Sequence, residues 1–92
     1  MSEPIVRRRV TVYGRVQGVF FRDSVRERAQ AHGVSGWVCN RGDGALEAVL
    51  EGPSQAVQAL VRFCETGPPR ARVESIDARE EDPEGLDGFA IR

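Results

Sequence analysis

Two spacings of hydrophobic residues alternate along the 92-residue chain. In a strand every second side chain lies on the same face, whereas in a helix apolar residues recur every three or four positions. Strand-like alternation is found over residues 5–13, 34–40, 45–51 and 71–79, and again in the terminal "GFAIR". Helical spacing is found over residues 22–32 and 54–66. The pattern therefore predicts the order βαββαβ, followed by a short strand.

Five of these seven segments have an apolar face that a core can cover. The faces consist of Val6, Val10 and Val12; Phe21, Val25, Ala29 and His32; Leu46, Ala48 and Leu50; Val57, Leu60, Val61 and Cys64; and Phe89 and Ile91. We expect Gly33 to end the first helix and Ser54 to cap the second. His32 either caps carbonyl groups in the last helical turn or packs against the sheet.

The order βαββαβ is that of the ferredoxin-like α+β sandwich, in which a four-stranded antiparallel sheet carries two helices on one face. A right-handed crossover makes the first two strands parallel, and the third strand lies between them. Irregular alternation indicates a bulge in the fourth strand, and "GFAIR" adds a short terminal strand. We expect residues 1–92 to form a single domain.

Composition and charge narrow the possible functions. The net charge of −1 argues against nucleic-acid binding, because such proteins usually carry a basic excess. No apolar run reaches the roughly 18 residues of a membrane span, and the N-terminal residues lack a signal-peptide pattern, so we expect a cytoplasmic protein. All thirteen basic residues are Arg. Cys39 and Cys64 are expected to be reduced core residues, and with a single His they cannot form a usual zinc site.

Residues 14–22, "GRVQGVFFR", contain no Ser, Cys, His, Asp or Glu. The segment leads from the first strand into the first helix, where backbone N–H groups are free and the helix dipole favours an anion. Gly14 and Gly18 let the backbone curl its amides inward, and Arg22 adds a planar set of donors. The residues fit an anion site and a tight strand–helix connection with a surface Arg equally well.

Asn40 ends the second strand. Because the first two strands are parallel, Asn40 and Arg22 are expected at the same edge of the sheet. An Asn before a turn is often an Asx-turn residue. At this edge it could instead hold a water beside a bound phosphate.

The stretches "VYGRVQGVFFR" and "GWVCNRGDGALEAVLEG" resemble the two signature stretches of the acylphosphatase family. The second departs from the family pattern at Cys39 and Leu46, and neither departure should remove activity. The resemblance implies hydrolysis of acyl phosphates to carboxylate and inorganic phosphate. It also implies that Arg22 binds the phosphoryl group and that Asn40 orients the attacking water. The amides that share the phosphoryl group with Arg22 would be those of Gln17, Gly18, Val19, Phe20 and Phe21.

Such a reaction explains why the loop lacks an acid and a base. The leaving carboxylate has a conjugate acid with a pKa of about 4 to 5, so no general acid is required. We expect no metal and no cofactor, a small acyl phosphate as the substrate, inorganic phosphate as product and inhibitor, and a monomer. Whether Phe20 and Phe21 line the site or the core is left open by the sequence.

Two other classes of protein share this order of elements. An RNA-recognition domain would carry its aromatic residues on a central strand in basic surroundings, which "GVFF" in an acidic chain does not match. A non-catalytic phosphate- or small-molecule-binding domain would keep the anion site without turnover. Arg22 together with Asn40 favours an enzyme over this alternative.

Overall fold

A computed structural model of the protein describes residues 3–92, and seven elements follow one another in this part of the chain. They are β1 (Ile5–Arg15), α1 (Phe21–His32), β2 (Ser35–Asn40), β3 (Leu46–Pro53), α2 (Ser54–Thr66), β4 (Arg72–Glu81) and β5 (Phe89–Ile91). The predicted order is confirmed. Neither helix of the described residues is long and apolar enough to cross a membrane.

The five strands form one sheet in the order β4-β1-β3-β2-β5. β3 is antiparallel to both β1 and β2, and β4 is antiparallel to β1. β1 and β2 are therefore parallel with β3 between them, as predicted. The terminal strand β5 pairs in parallel with β2, which makes the sheet mixed. This topology brings the C-terminal ends of β1 and β2 to the same edge.

Both helices contribute to a core on one face of the sheet. The helical residues that contribute are Phe21, Val25 and Ala29 from α1 and Val57, Leu60, Val61 and Cys64 from α2. The sheet contributes Val10, Val12, Val38, Leu46, Ala48 and Leu50, and Phe89 and Ile91 pack at the margin. These faces agree with the predicted ones, except that His32 is exposed. It lies on the solvent side of the last turn of α1, so it does not pack against the sheet.

The two cysteines are unpaired and lie in different environments. Cys64 is fully buried, and desolvation raises the pKa of its thiol to about 12. Cys39 is only partly buried, and its register on β2 places it on the sheet face opposite the core. Desolvation and the nearby Glu47 raise the pKa of the Cys39 thiol as well. The expected core position is right for Cys64 and wrong for Cys39.

Of the two helix ends predicted from the sequence, the end of α1 is confirmed and the start of α2 is wrong. Gly33 ends α1 with φ 71°, and the Val34 N–H donates to the Ala29 carbonyl at 2.8 Å, as expected of a glycine stop. The predicted Ser54 cap is wrong, because Ser54 is already the first helical residue and Pro53 precedes it as the cap residue. An N-cap is the residue that precedes the first helical residue, so Ser54 cannot act as the cap of α2. Instead, the Gln55 N–H donates to a carboxylate oxygen of Glu3 at 3.3 Å.

The fourth strand contains the predicted bulge and is longer than predicted. Tyr13 pairs with Ser75 and Gly14 pairs with Val73, so Glu74 is an extra residue on β4. The strand was expected to end at residue 79, but it continues to Glu81, which pairs with Arg7 on β1. A charged side chain from each strand holds this last pair together, and alternation of apolar residues does not reveal such a contact.

Candidate active site

The loop between β1 and α1 leaves a row of backbone donors unpaired. Within residues 3–92, none of the N–H groups of residues 17–21 donates to a protein acceptor. The first hydrogen bond of α1 runs from the Ser24 N–H to the Phe20 carbonyl at 3.1 Å. These donors lie at the positive end of the α1 dipole, which is an arrangement that binds anions.

Two residues with left-handed backbone give the loop its curvature. Gly18 has φ 73°, and Phe20 has φ 64° and ψ 23°. Left-handed residues that alternate with ordinary ones turn successive N–H groups toward a common centre, as in an anion-binding nest. Phe20 is the one non-glycine residue of the described chain with a positive φ. The Ser24 hydroxyl donates to the Phe20 carbonyl at 2.8 Å and holds this conformation in place.

Arg22, the second residue of α1, is partly buried and lines a pocket beside this loop. In the described part of the chain no carboxylate lies within ion-pair distance of its guanidinium. The adjacent Asp23 is instead 3.6 Å from the Arg26 guanidinium one turn further along the helix. The donors of Arg22 are therefore free for an anionic ligand.

Asn40, the last residue of β2, lines the same pocket as Arg22. Its side-chain oxygen is buried and accepts no hydrogen bond from residues 3–92. A buried acceptor without a partner is unusual, because the cost of desolvating it is not recovered.

The pocket has a volume of about 210 Å³. It is lined by Val16, Gly18, Phe20, Phe21, Arg22, Asp23 and Asn40. Since a water molecule takes about 30 Å³ in the liquid, a phosphoryl group and one water fit together. Among the predicted site residues, Arg22, Asn40, Gly18, Phe20 and Phe21 thus meet at one place.

The other two predicted residues support the loop from outside the pocket lining. Val19 is 3% exposed and packs into the core. The Gln17 side-chain amide donates to the carbonyls of Arg41 at 2.7 Å and Ala45 at 3.1 Å. This link between the loop and the turn after Asn40 was missed by the sequence analysis, which assigned only the backbone amide of Gln17. The one signal that could have indicated it is a polar residue between Val16 and Val19, both of which are buried.

The two adjacent phenylalanines have different surroundings. Phe21 is 1% exposed, and its ring centroid is 6.0 Å from that of Phe63 in the core. Phe20 is 67% exposed at the pocket. Phe21 is therefore a core residue that reaches the pocket wall, whereas Phe20 is exposed at the pocket.

The pocket contains few groups that titrate. Asp23 is the one carboxylate of its lining, and its charge is shared with Arg26. His32 lies at the opposite end of α1. Nowhere in residues 3–92 do three His, Cys, Asp or Glu side chains come together as metal ligands do. The unpaired amides of the loop and the free guanidinium of Arg22 make the pocket suited to an anion.

Comparisons with known proteins show the family of the chain. The model of the acylphosphatase family matches residues 8–91. The chain is 54% identical to the acylphosphatase of Natronomonas pharaonis over 87 residues, covering 95% of both chains. It is 60% identical to the acylphosphatase of Rubrobacter xylanophilus over 87 residues, which are 94% of this chain and 79% of that one. The crystal structure of the Bacillus subtilis acylphosphatase superimposes with a TM-score of 0.91 at 40% identity, covering 95% of this chain and 98% of the other. The chain belongs to the acylphosphatase family.

Proposed function

We propose that the protein hydrolyses the carboxyl–phosphate bond of acyl phosphates, and that it does so in the pocket between the β1–α1 loop and Asn40. Family membership supports the activity, since relatives of 54% and 60% identity bear the name acylphosphatase. One observation carries the assignment of the site: unpaired amides and a free guanidinium share a pocket with the side chain of Asn40. The same relatives favour an enzyme over a non-catalytic phosphate-binding domain.

The phosphoryl group is held by the amides of residues 17–21 and by Arg22. The amides supply partial positive charge at fixed positions, and the planar guanidinium bonds two phosphoryl oxygens at once. Because no carboxylate of residues 3–92 forms an ion pair with Arg22, its guanidinium is available to the ligand. Charge that is already oriented stabilises the transition state without any reorganisation during the reaction.

Asn40 holds the attacking water through its side-chain amide group, which lines the pocket. The water oxygen forms a bond to phosphorus while the bond from phosphorus to the carboxyl oxygen breaks, and the electron pair leaves with the carboxylate. The proton of the water passes to a phosphoryl oxygen of the substrate. The transition state of phosphoryl transfer is loose, so the water needs a position more than it needs a strong base.

No further catalytic group is required. A carboxylate is a good leaving group, because the pKa of its conjugate acid is only about 4 to 5. The amides and Arg22 supply the positive field that a metal ion provides in many other phosphoryl-transfer enzymes. The proposal therefore includes neither a metal nor a cofactor, and inorganic phosphate is both the product and a competitive inhibitor.

Steady-state hydrolysis of benzoyl phosphate by three variants tests the proposal. Arg22→Ala should lose both phosphate affinity and turnover, with kcat reduced about 10²–10³-fold, as for the loss of one transition-state donor. Asn40→Ala should lose a similar factor in kcat while phosphate still inhibits competitively. Arg62→Ala, on the exposed side of α2 and outside the pocket lining, should change little. Normal turnover by Asn40→Ala would remove that residue from the mechanism.

Two controls test whether a histidine base or a metal ion takes part in the reaction. His32→Gln should keep nearly full activity, because His32 is exposed at the far end of α1. Dialysis against EDTA should also leave turnover unchanged. Loss of activity in either experiment would show that a base or a metal ion takes part.

We further propose that residues 1–92 act as one monomeric domain in the cytoplasm. Two unpaired cysteines, one of them fully buried, fit a reducing compartment. Sedimentation equilibrium should give the 10.1 kDa mass of one chain. A dimer mass would contradict the proposed monomer without affecting the assignment of the site.

A further inference from the structure

We propose that the ring of Phe20 forms one wall of a subsite for the acyl group, and that this subsite selects neutral apolar acyl groups, especially aromatic ones. The inference rests on the proposed function, because it concerns the part of the substrate that leaves. It starts from a contrast between neighbours: Phe21 is 1% exposed and Phe20 is 67% exposed.

Phe20 is unusual among the exposed apolar side chains. Three large hydrophobic residues of the described chain are exposed: Ile5 (54%), Tyr13 (40%) and Phe20 (67%). Ile5 and Tyr13 do not line the phosphate pocket, and Phe20 does. The most exposed of the three is thus the one that stands beside Arg22 and Asn40.

The backbone of Phe20 adds a second observation. The other nine residues of the described chain with positive φ are glycines, for which this conformation costs little. A glycine at position 20 would make the same turn without the steric penalty that a Cβ brings. Stability of the fold therefore does not require a phenylalanine here. Non-glycine residues with a strained backbone are common at functional sites, where the side chain contacts a ligand or substrate.

The position of Phe20 suits the acyl group. In an in-line displacement the acyl group lies across the phosphorus from the attacking water, so it points away from Asn40 and toward solvent. The other apolar side chains of the pocket, Val16 and Phe21, are each 1% exposed and lie deeper. Phe20 is the apolar surface that an acyl group meets as it extends outward, and two hydrogen bonds from Ser24 fix its carbonyl.

Asp23 makes the subsite selective for the charge of the acyl group as well as for its apolar surface. Its carboxylate lines the same pocket, is exposed, and is only partly balanced by Arg26 at 3.6 Å. An acyl group that carries its own carboxylate would be repelled here, and the repulsion would weaken with added salt. The preferred class is therefore acyl phosphates whose acyl part is uncharged.

The ratio of kcat/KM for benzoyl phosphate to that for acetyl phosphate tests the role of Phe20. Asn tolerates the left-handed conformation, so Phe20→Asn keeps the loop and removes the ring. The ratio should fall about tenfold in Phe20→Asn and stay within about twofold in Phe20→Tyr. Any loss that comes from the loop itself affects both substrates and cancels in the ratio. An unchanged ratio in Phe20→Asn would overturn the inference.

Succinyl phosphate, which carries a free carboxylate, tests the role of Asp23. Asp23→Asn should raise kcat/KM for succinyl phosphate relative to acetyl phosphate about threefold at low salt, and less at high salt. No change would overturn the charge criterion. If the unmodified protein hydrolyses none of the three substrates, the proposed function itself fails. If it hydrolyses all three and the variants leave the ratios unchanged, only this inference fails.

Discussion

The side chain of Gln17 joins the two segments that line the pocket. Its two hydrogen bonds reach the carbonyls of Arg41 and Ala45, on either side of the turn that follows Asn40. The amides of the loop and the oxygen of Asn40 come from elements far apart in sequence. Their relative position therefore depends on this link, and an error of about 1 Å in such a position can cost a hundredfold in rate.

The variant Gln17→Met keeps the volume of the side chain and removes both donors. We expect the free energy of unfolding to fall by about 1–2 kcal/mol, because two hydrogen bonds are lost. We also expect kcat for benzoyl phosphate to fall about tenfold, with a smaller change in phosphate inhibition, since the amides remain but Asn40 is less well placed. Gln55→Met, on the exposed side of α2, is the matched control. Equal kcat in the two variants would contradict the positioning role.

For single residues, the sequence predicted the position of a side chain where that position follows from the order and direction of the strands. Arg22 and Asn40 were predicted to converge because two parallel strands end at the same edge, and they line one pocket. The difference between Phe20 and Phe21 depends on the residue at which α1 begins. A left-handed residue just before a helix turns its side chain outward, and no periodic pattern contains that information.

Among the elements, β1 and β4 meet at a bulge that lies just before the β1–α1 loop. Gly14 lies at this bulge with φ 129°, and a Cβ there would collide with the Arg72 carbonyl oxygen and lie 2.9 Å from the Glu74 nitrogen. Both neighbours are backbone atoms, so neither can move aside cheaply. Only glycine allows β4 to approach this closely.

We therefore expect Gly14→Ala to lower the free energy of unfolding by about 2–4 kcal/mol, through strain and the displaced strand. Activity should fall as well, because the β1–α1 loop begins two residues further along the chain. Gly42→Ala is the matched control, since an added Cβ there meets nothing within 4 Å. Urea denaturation of the two variants measures the difference. If both are equally stable, the close approach at Gly14 does not hold β1 against β4.

The spacing of hydrophobic residues predicted the type and order of the helices and strands. Their ends depend on individual side-chain contacts. The two helix stripes and the inner faces of β1 and β3 agree with the structure because burial enforces a period. The end of β4 and the cap of α2 depend on side chains distant in sequence, Arg7 for one and Glu3 for the other. The spacing of residues within a segment does not predict contacts with such distant partners.

For the molecule as a whole, charged groups organise the sheet face that has no helices. Arg7 and Arg9 lie on this face and share Glu81, with Nε–Oε distances of 2.9 and 2.7 Å. Arg9 also reaches Glu47 at 2.8 Å. Glu51 is 3% exposed and accepts hydrogen bonds from the Glu84 and Leu86 N–H groups at 2.7 and 2.6 Å, which ties the loop before β5 to the sheet.

These contacts make stability depend on acidic pH. Burial by itself would raise the pKa of Glu51, but hydrogen bonds from the Glu84, Leu86 and Gly85 amides and the charge of Arg7 more than offset it, so the pKa is lowered. Hydrogen bonds from Arg9 and Arg7 lower the pKa of Glu81 as well. A carboxylate whose folded pKa is depressed stabilises the fold above its unfolded pKa of about 4.3 and loses that contribution as pH falls through the folded value.

The free energy of unfolding should therefore be nearly constant from pH 7 to about 5 and fall steeply below about 4.3. Glu51→Gln should be less stable by about 2 kcal/mol at pH 7, because a buried charge pair and an acceptor for two amides are weakened. Its stability should fall less steeply with acid, since one of the two depressed carboxylates is gone. Urea denaturation between pH 7 and 3 measures both, with Glu65→Gln on the exposed side of α2 as the control. If Glu51→Gln and the unmodified protein lose stability in parallel, Glu51 is not a source of the acid sensitivity, and the loop before β5 is held by other contacts.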